Sequence, residues 1–198
     1  MLREVAVRVL REFELEKEVA LPAESTARRC DKAWEEPLRG LVHGKPGTGK
    51  SRVIGWLRSL FENALGWTHG AEFMCVAFQN RMAAAIGGMT LHSGADLPRP
   101  GEDRDRSLGH ADIDNLYMQN ACLRWILVDE VSMVSDTLLG DFESHLTDAA
   151  RQTRFSKRAD KSVRCFGGYN VLFFGDWWQL HPIPDSGGAV LAPTGEGR

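Results

Sequence analysis

Gly44-Lys45-Pro46-Gly47-Thr48-Gly49-Lys50-Ser51 decides the fold of this 198-residue chain. It satisfies every fixed position of the phosphate-loop pattern G-x-x-x-x-G-K-[ST]. The apolar run Leu41-Val42-His43 leads into it and predicts a first strand over 41–43. An amphipathic segment over 52–65 follows, with Ile54, Leu57, Leu60, Phe61 and Ala64 at helical spacing. Glycines let the backbone curl so that successive N–H groups point inward. The helix that follows adds its dipole and its unpaired N–H groups, which favour bound phosphate. In such a site residues Gly44, Lys45, Pro46, Gly47, Thr48, Gly49, Lys50 and Ser51 wrap bound phosphate. Lys50 reaches the β- and γ-phosphates, and Ser51 offers its hydroxyl to Mg²⁺. The plainer reading is a glycine-rich turn, and the agreement of every fixed position with the flanking strand and helix weighs against it.

The remaining chain repeats the strand–helix alternation. Strands are predicted over 72–78, 125–128 and 171–174, and helices over 81–86, 113–121 and 136–152. The strands are continuous apolar runs, which argues for a parallel sheet with helices on both faces, an α/β phosphate-loop fold. Ligands of such sheets sit at the carboxyl ends of the strands. The phosphate loop, Asp129 and Asp176 each follow a strand end, so all three can meet on one edge. An N-terminal helix is read from Leu2, Val5, Ala6, Val9, Leu10 and Phe13. Residues 97–114, with prolines and mixed charges, read as a surface loop. The organisation expected is a lead-in over 1–38, a nucleotide-binding domain over 39–185 and a Gly/Pro-rich linker over 186–198.

Hydrophobic residues make up 43% and charged residues 26%, the balance of a globular protein with a real core. The net charge of −3 means that any nucleic-acid contact must come from a local patch. The four cysteines stand far apart without a C-x-x-C pair, which argues against a zinc site or a disulfide framework. Acidic residues near the N-terminus argue against a signal or transit peptide, and no apolar run is long enough to span a bilayer.

Two further stretches carry chemistry. Asp129-Glu130 follows a buried strand: one carboxylate suits Mg²⁺ opposite Ser51, and the other suits taking a proton from an attacking water. Gly175-Asp176-Trp177-Trp178-Gln179 follows the last strand, where Gln179 can hydrogen-bond a γ-phosphate or its water. A solvated strand end and an ordinary turn are the bland alternatives.

Taken in order, Gly44 to Ser51, Ile86-Gly87-Gly88 with Thr90-Leu91-His92-Ser93, Asp129-Glu130-Val131-Ser132-Met133, and Phe166-Gly167-Gly168 before Gly175-Asp176 and Gln179-Leu180 resemble the petite-integration-frequency (PIF) DNA helicases of superfamily I, relatives of the RecD-like helicases. The resemblance runs over about 41–183. It implies an α/β RecA-like motor domain that hydrolyses ATP with Mg²⁺ and moves 5′ to 3′ on single-stranded DNA or DNA junctions. It implies roles in DNA repair, recombination and telomere maintenance, in the nucleus or alternatively the mitochondrion. By the same resemblance Lys50, Asp129, Glu130 and Gln179 are catalytic, Ser51 and Asp129 serve the metal, and Asn80, Arg81, Thr90 and His92 touch DNA. The family pattern also has a Gln upstream of the phosphate loop, Pro-Thr-Gly where Phe78-Gln79-Asn80 stands, and Pro-Pro where His181-Pro182 stands. It requires a second RecA-like domain that completes the ATP site. The expectation is therefore the first motor domain of a helicase. The alternative is a fragment or degenerate copy that binds nucleotide or single-stranded DNA without turnover.

Overall fold

Parallel strand pairing organises the computed structural model, which describes residue 3 and residues 5–9, 36–98, 110–150, 156–176 and 178. The chain divides into two units, Met1–Glu35 and Glu36–Arg198. In the first, residue 3 and residues 5–9 are helical. The second holds a five-stranded sheet: β1 (Arg39–His43), β2 (Phe73–Ala77), β3 (Met89–Thr90), β4 (Trp125–Asp129) and β5 (Asn170–Gly175), in the order β1-β5-β4-β2-β3. Every pairing is parallel. The helices are α1 (Lys50–Ser59, continued by a π-helical turn Leu60–Ala64), α2 (Asn80–Ala85), α3 (Leu91–Gly94), α4 (His110–Asn120) and α5 (Asp136–Ala149).

Side chains alternate between the two faces of the sheet. Met74, Val76, Ile126, Val128 and Val171 join Phe142 and Leu146 of α5 in one buried cluster. On the other face Phe61, from the π turn after α1, meets Phe73 and Trp125 at ring distances of 5.0 and 5.8 Å. β2 and β4 are buried along their whole length, so their sequences carry no alternation. β1 lies at the sheet edge; its burial alternates and Leu41 is 41% exposed.

The four strands read from sequence are present, lengthened or trimmed by a residue or two. The short β3 and α3 have no counterpart in the sequence pattern, because two extended residues followed by one helical turn leave no periodic signal. The surface-loop expectation over 97–114 is corrected at both ends. Leu97 is buried in the core cluster and α4 starts at His110, while residues 99–109 lie outside the described ones.

Two glycine turns lock the sheet to its helices. Phe166, Gly167 and Gly168 all have positive φ, and a Cβ on Gly167 would stand 2.4 Å from the Ala150 Cβ and 2.8 Å from the Leu146 carbonyl oxygen. The turn is held by α5: Phe166 N–H donates to Glu143 Oε1 at 2.9 Å, Gly167 N–H donates to the Thr147 hydroxyl oxygen at 2.9 Å, and that hydroxyl donates to Glu143 Oε1 at 2.9 Å. Glu143→Ala removes two of these bonds and is expected to cost about 1–3 kcal/mol, read as a lower urea midpoint with unchanged slope. On the other face Arg58 Nη1 donates to the carbonyls of Ile86 and Gly87, at 3.1 and 2.7 Å, fastening α1 to the second turn.

Candidate active site

The strand order puts the chemistry on one edge. β5 lies between β1 and β4, so the carboxyl ends read, in order, phosphate loop, Asp176, Asp129-Glu130, then the segments after β2 and β3. Register keeps them level: Val42 pairs with Phe174, and Ala77 pairs with both Asp129 and Thr90. With strands about 4.8 Å apart, the loop lies about 10 Å from Asp129 and about 19 Å from Thr90.

The loop is pinned where Gly44 N–H donates to the Gly175 carbonyl at 3.2 Å. Gly47 and Gly49 have φ of 77° and 92°, with open space where a Cβ would stand. A Cβ on Gly44 would stand 2.5 Å from the Thr48 hydroxyl oxygen and would displace that hydroxyl. That hydroxyl donates to the Lys45 carbonyl at 2.8 Å and closes the turn. Lys50 is buried, and its Nζ donates to the Gly44 carbonyl at 2.6 Å and the Lys45 carbonyl at 3.4 Å. Its ammonium is thus held inside the loop, aimed at the space the glycines leave. Ser51 is exposed on the first turn of α1.

Asp129 is buried at the end of β4 and accepts the Glu130 N–H at 3.0 Å. Burial raises its carboxyl pKa; the Glu130 bond and the Lys50 charge oppose the rise. Glu130 sits in the left-handed region (φ 51°), which turns its side chain out of the strand direction, and its Oε2 is buried without a partner. Burial raises its pKa too; the charges of Asp129 and Asp176 push the same way, and Lys50 opposes. Asp176, at the tip of β5, is wholly buried.

A buried carboxylate whose folded pKa exceeds its unfolded value binds more protons when folded, so stability falls as pH rises between those two values. Asp129→Asn removes this burden and keeps an acceptor for the Glu130 N–H. It is expected to raise the melting temperature of the nucleotide-free protein at pH 7, with the gain shrinking as pH falls to the ordinary carboxylate range. A lower melting temperature at pH 7 contradicts the assignment.

Mg²⁺ takes one or two protein oxygens and completes its shell with water and substrate phosphate. Ser51 and Asp129 match that donor set, and among the described residues no three His, Cys, Asp or Glu side chains form a protein-only cage.

The DNA-contact candidates fall at the far end of the same edge. Asn80 and Arg81 are exposed at the start of α2, and His92 lies half-buried in α3. The Thr90 hydroxyl caps α3 by accepting the Ser93 N–H at 3.1 Å. Gln179 lies outside the described residues. So do the basic residues Arg151 and Arg154, while Arg158 is engaged at 2.6 Å by Glu36. Trp178 is 82% exposed and is not packed into the core.

A parallel sheet carrying a phosphate loop on its edge strand, with an acid pair one strand beyond its neighbour, defines a P-loop nucleotide-binding domain. The family model of PIF1-like helicases matches residues 34–190, and the chain belongs to that family. It is 33% identical over 151 residues to the ATP-dependent DNA helicase PIF1 of Saccharomyces cerevisiae, covering 71% of this chain and 15% of the relative. It is 31% identical over 150 residues to the ATP-dependent DNA helicase PIF1 of Candida albicans, covering 71% of this chain and 14% of the relative. The chain thus spans about a seventh of the length of these relatives. Among solved structures, the Pif1 helicase from Bacteroides in complex with ADP-AlF3 and ssDNA superposes with a TM-score of 0.52 at 23% identity, over 76% of this chain and 31% of that one. The Pif1 helicase from Candida albicans gives 0.52 at 24% identity, over 78% and 33%. These likenesses carry the fold.

Proposed function

We propose that this chain is the ATP-binding and ATP-hydrolysing part of a DNA helicase that moves 5′ to 3′ on single-stranded DNA. The observation that carries the reading is the meeting of the phosphate loop, Asp129 and Glu130 on one sheet edge, with the Lys50 charge acting on both carboxyls. The loop's inward N–H groups and Lys50 take the β- and γ-phosphates; binding exchanges the Gly44 and Lys45 carbonyls for phosphate oxygens. Ser51 and Asp129 hold Mg²⁺, which neutralises charge on the phosphates. Glu130 takes the proton of the attacking water; its buried, unpartnered oxygen suits a base that must attract a proton. Gln179 couples the γ-phosphate to the DNA track.

Asn80, Arg81, Thr90 and His92 form that track, three to four strands from the loop. The family membership and the DNA-bound Bacteroides relative support it. A second RecA-like domain supplies the arginines that complete the ATP site. The family membership supports a nuclear role in DNA repair, recombination and telomere maintenance. No described helix is long and apolar enough to cross a membrane.

The test is phosphate release from ATP with and without single-stranded oligonucleotide. Stimulation by DNA that is weakened in Arg81→Ala supports the reading; DNA-independent release, unchanged in that variant, contradicts it.

A further inference from the structure

Asp176 has no role so far, yet its setting is that of a working group. It follows β5, the strand between β1 and β4, so its backbone lies between the strand ends that carry the phosphate loop and Glu130, and its charge acts on the Glu130 carboxyl. It is fully buried. Its Oδ1 accepts the Trp178 N–H at 3.0 Å, while Oδ2 is buried without a partner. The Glu130 Oε2 on the neighbouring strand end is buried and unpartnered as well. Buried acceptors without donors cost free energy, more so when charged, and native proteins rarely keep them idle. Two such oxygens from adjacent strand tips lack two donors. One water molecule carries two.

We propose that Asp176 is a further catalytic residue of the hydrolytic centre, accepting one hydrogen of the attacking water while Glu130 accepts the other. The proposal rests on the nucleotide site described under Proposed function. Two acceptors fix the water's orientation and leave a lone pair facing the γ-phosphorus. The water oxygen forms its bond to that phosphorus as the bond from phosphorus to the β,γ-bridging oxygen breaks. ADP leaves with that electron pair, Glu130 takes one proton, and the other stays on the new phosphate oxygen, donating to Asp176. Oδ1 acts separately, holding the turn that follows β5 through the Trp178 N–H.

The two oxygens are separable. Asp176→Asn keeps an acceptor for Trp178 and replaces the other with a donor. Asp176→Ser keeps a shorter acceptor and serves as a second variant should the first not fold, with circular dichroism melting as the check. The readout is dissociation of a fluorescent ADP in the presence of Mg²⁺, with and without fluoroaluminate, whose complex with ADP mimics the planar phosphoryl group and fixes a water opposite it. Wild type is expected to release ADP at least about tenfold more slowly with fluoroaluminate, and the folded variants to lose that retardation while binding ADP alone within about twofold of wild type. Retardation retained in Asp176→Asn overturns the proposal, as does a wild type that binds ADP without any retardation. A folded wild type that binds no ADP overturns instead the nucleotide site on which the proposal rests.

Discussion

Lys50→Ala is expected to weaken ATP binding by at least about a hundredfold, roughly 3 kcal/mol, and to leave the fold intact. The ammonium is buried in the loop and bonded to the Gly44 and Lys45 carbonyls. These are neutral acceptors that water can replace, because Lys45, Pro46, Gly47 and Thr48 are exposed. Phosphate oxygens are charged acceptors in the same cradle, and losing the cation leaves their charge facing two carboxylates, Asp129 and Glu130. The penalty therefore falls on the bound state. Fluorescent-nucleotide titration with a melting curve on the same sample checks both halves. Unchanged affinity in a folded variant would overturn the placement of the phosphates.

Gly88→Ala is expected to destabilise the domain by about 3 kcal/mol, enough to move much of the chain into the insoluble fraction on expression. A Cβ there would stand 2.2 Å from the Cys75 carbonyl oxygen and 2.8 Å from its carbon. Both are backbone atoms of β2, which is paired on both sides by β4 and β3 and cannot step back. Gly55→Ala is the matched control. It lies exposed within α1 with nothing near its Cβ position, and the change is expected to stabilise by about 0.5–1 kcal/mol through helix propensity. Urea midpoints of the two variants should move in opposite directions. A Gly88→Ala protein as stable as wild type contradicts the packing of the Gly87-Gly88 turn.

What the sequence made legible was what local pattern encodes. The phosphate loop shows because its glycines, lysine and serine fall at fixed spacing within eight consecutive residues. β2, β4 and β5 show because strands covered on both faces must be apolar throughout. β3 escaped, since two residues carry no period. Pattern gives Lys50 an expected role toward phosphate and says nothing of its resting bonds to Gly44 and Lys45. The Glu143–Thr147 clamp on Phe166-Gly167-Gly168 joins residues about twenty positions apart, and no local rule marks it, although two polar side chains at i and i+4 on an amphipathic helix are its visible trace. Asp176 stood in view at a strand end. Its burial and its unpartnered oxygen depend on β5 inserting between β1 and β4, an order that strand periodicity cannot supply.

The central claim is that one carboxyl edge of this sheet builds a working nucleotide site. Calorimetric titration of ATP into the folded wild-type chain, with Mg²⁺ and then with Mg²⁺ chelated, tests it most directly. Saturation at one site, weakened by chelation, is the predicted result. A folded chain that takes up no nucleotide, or takes it up equally well without Mg²⁺, would contradict the account.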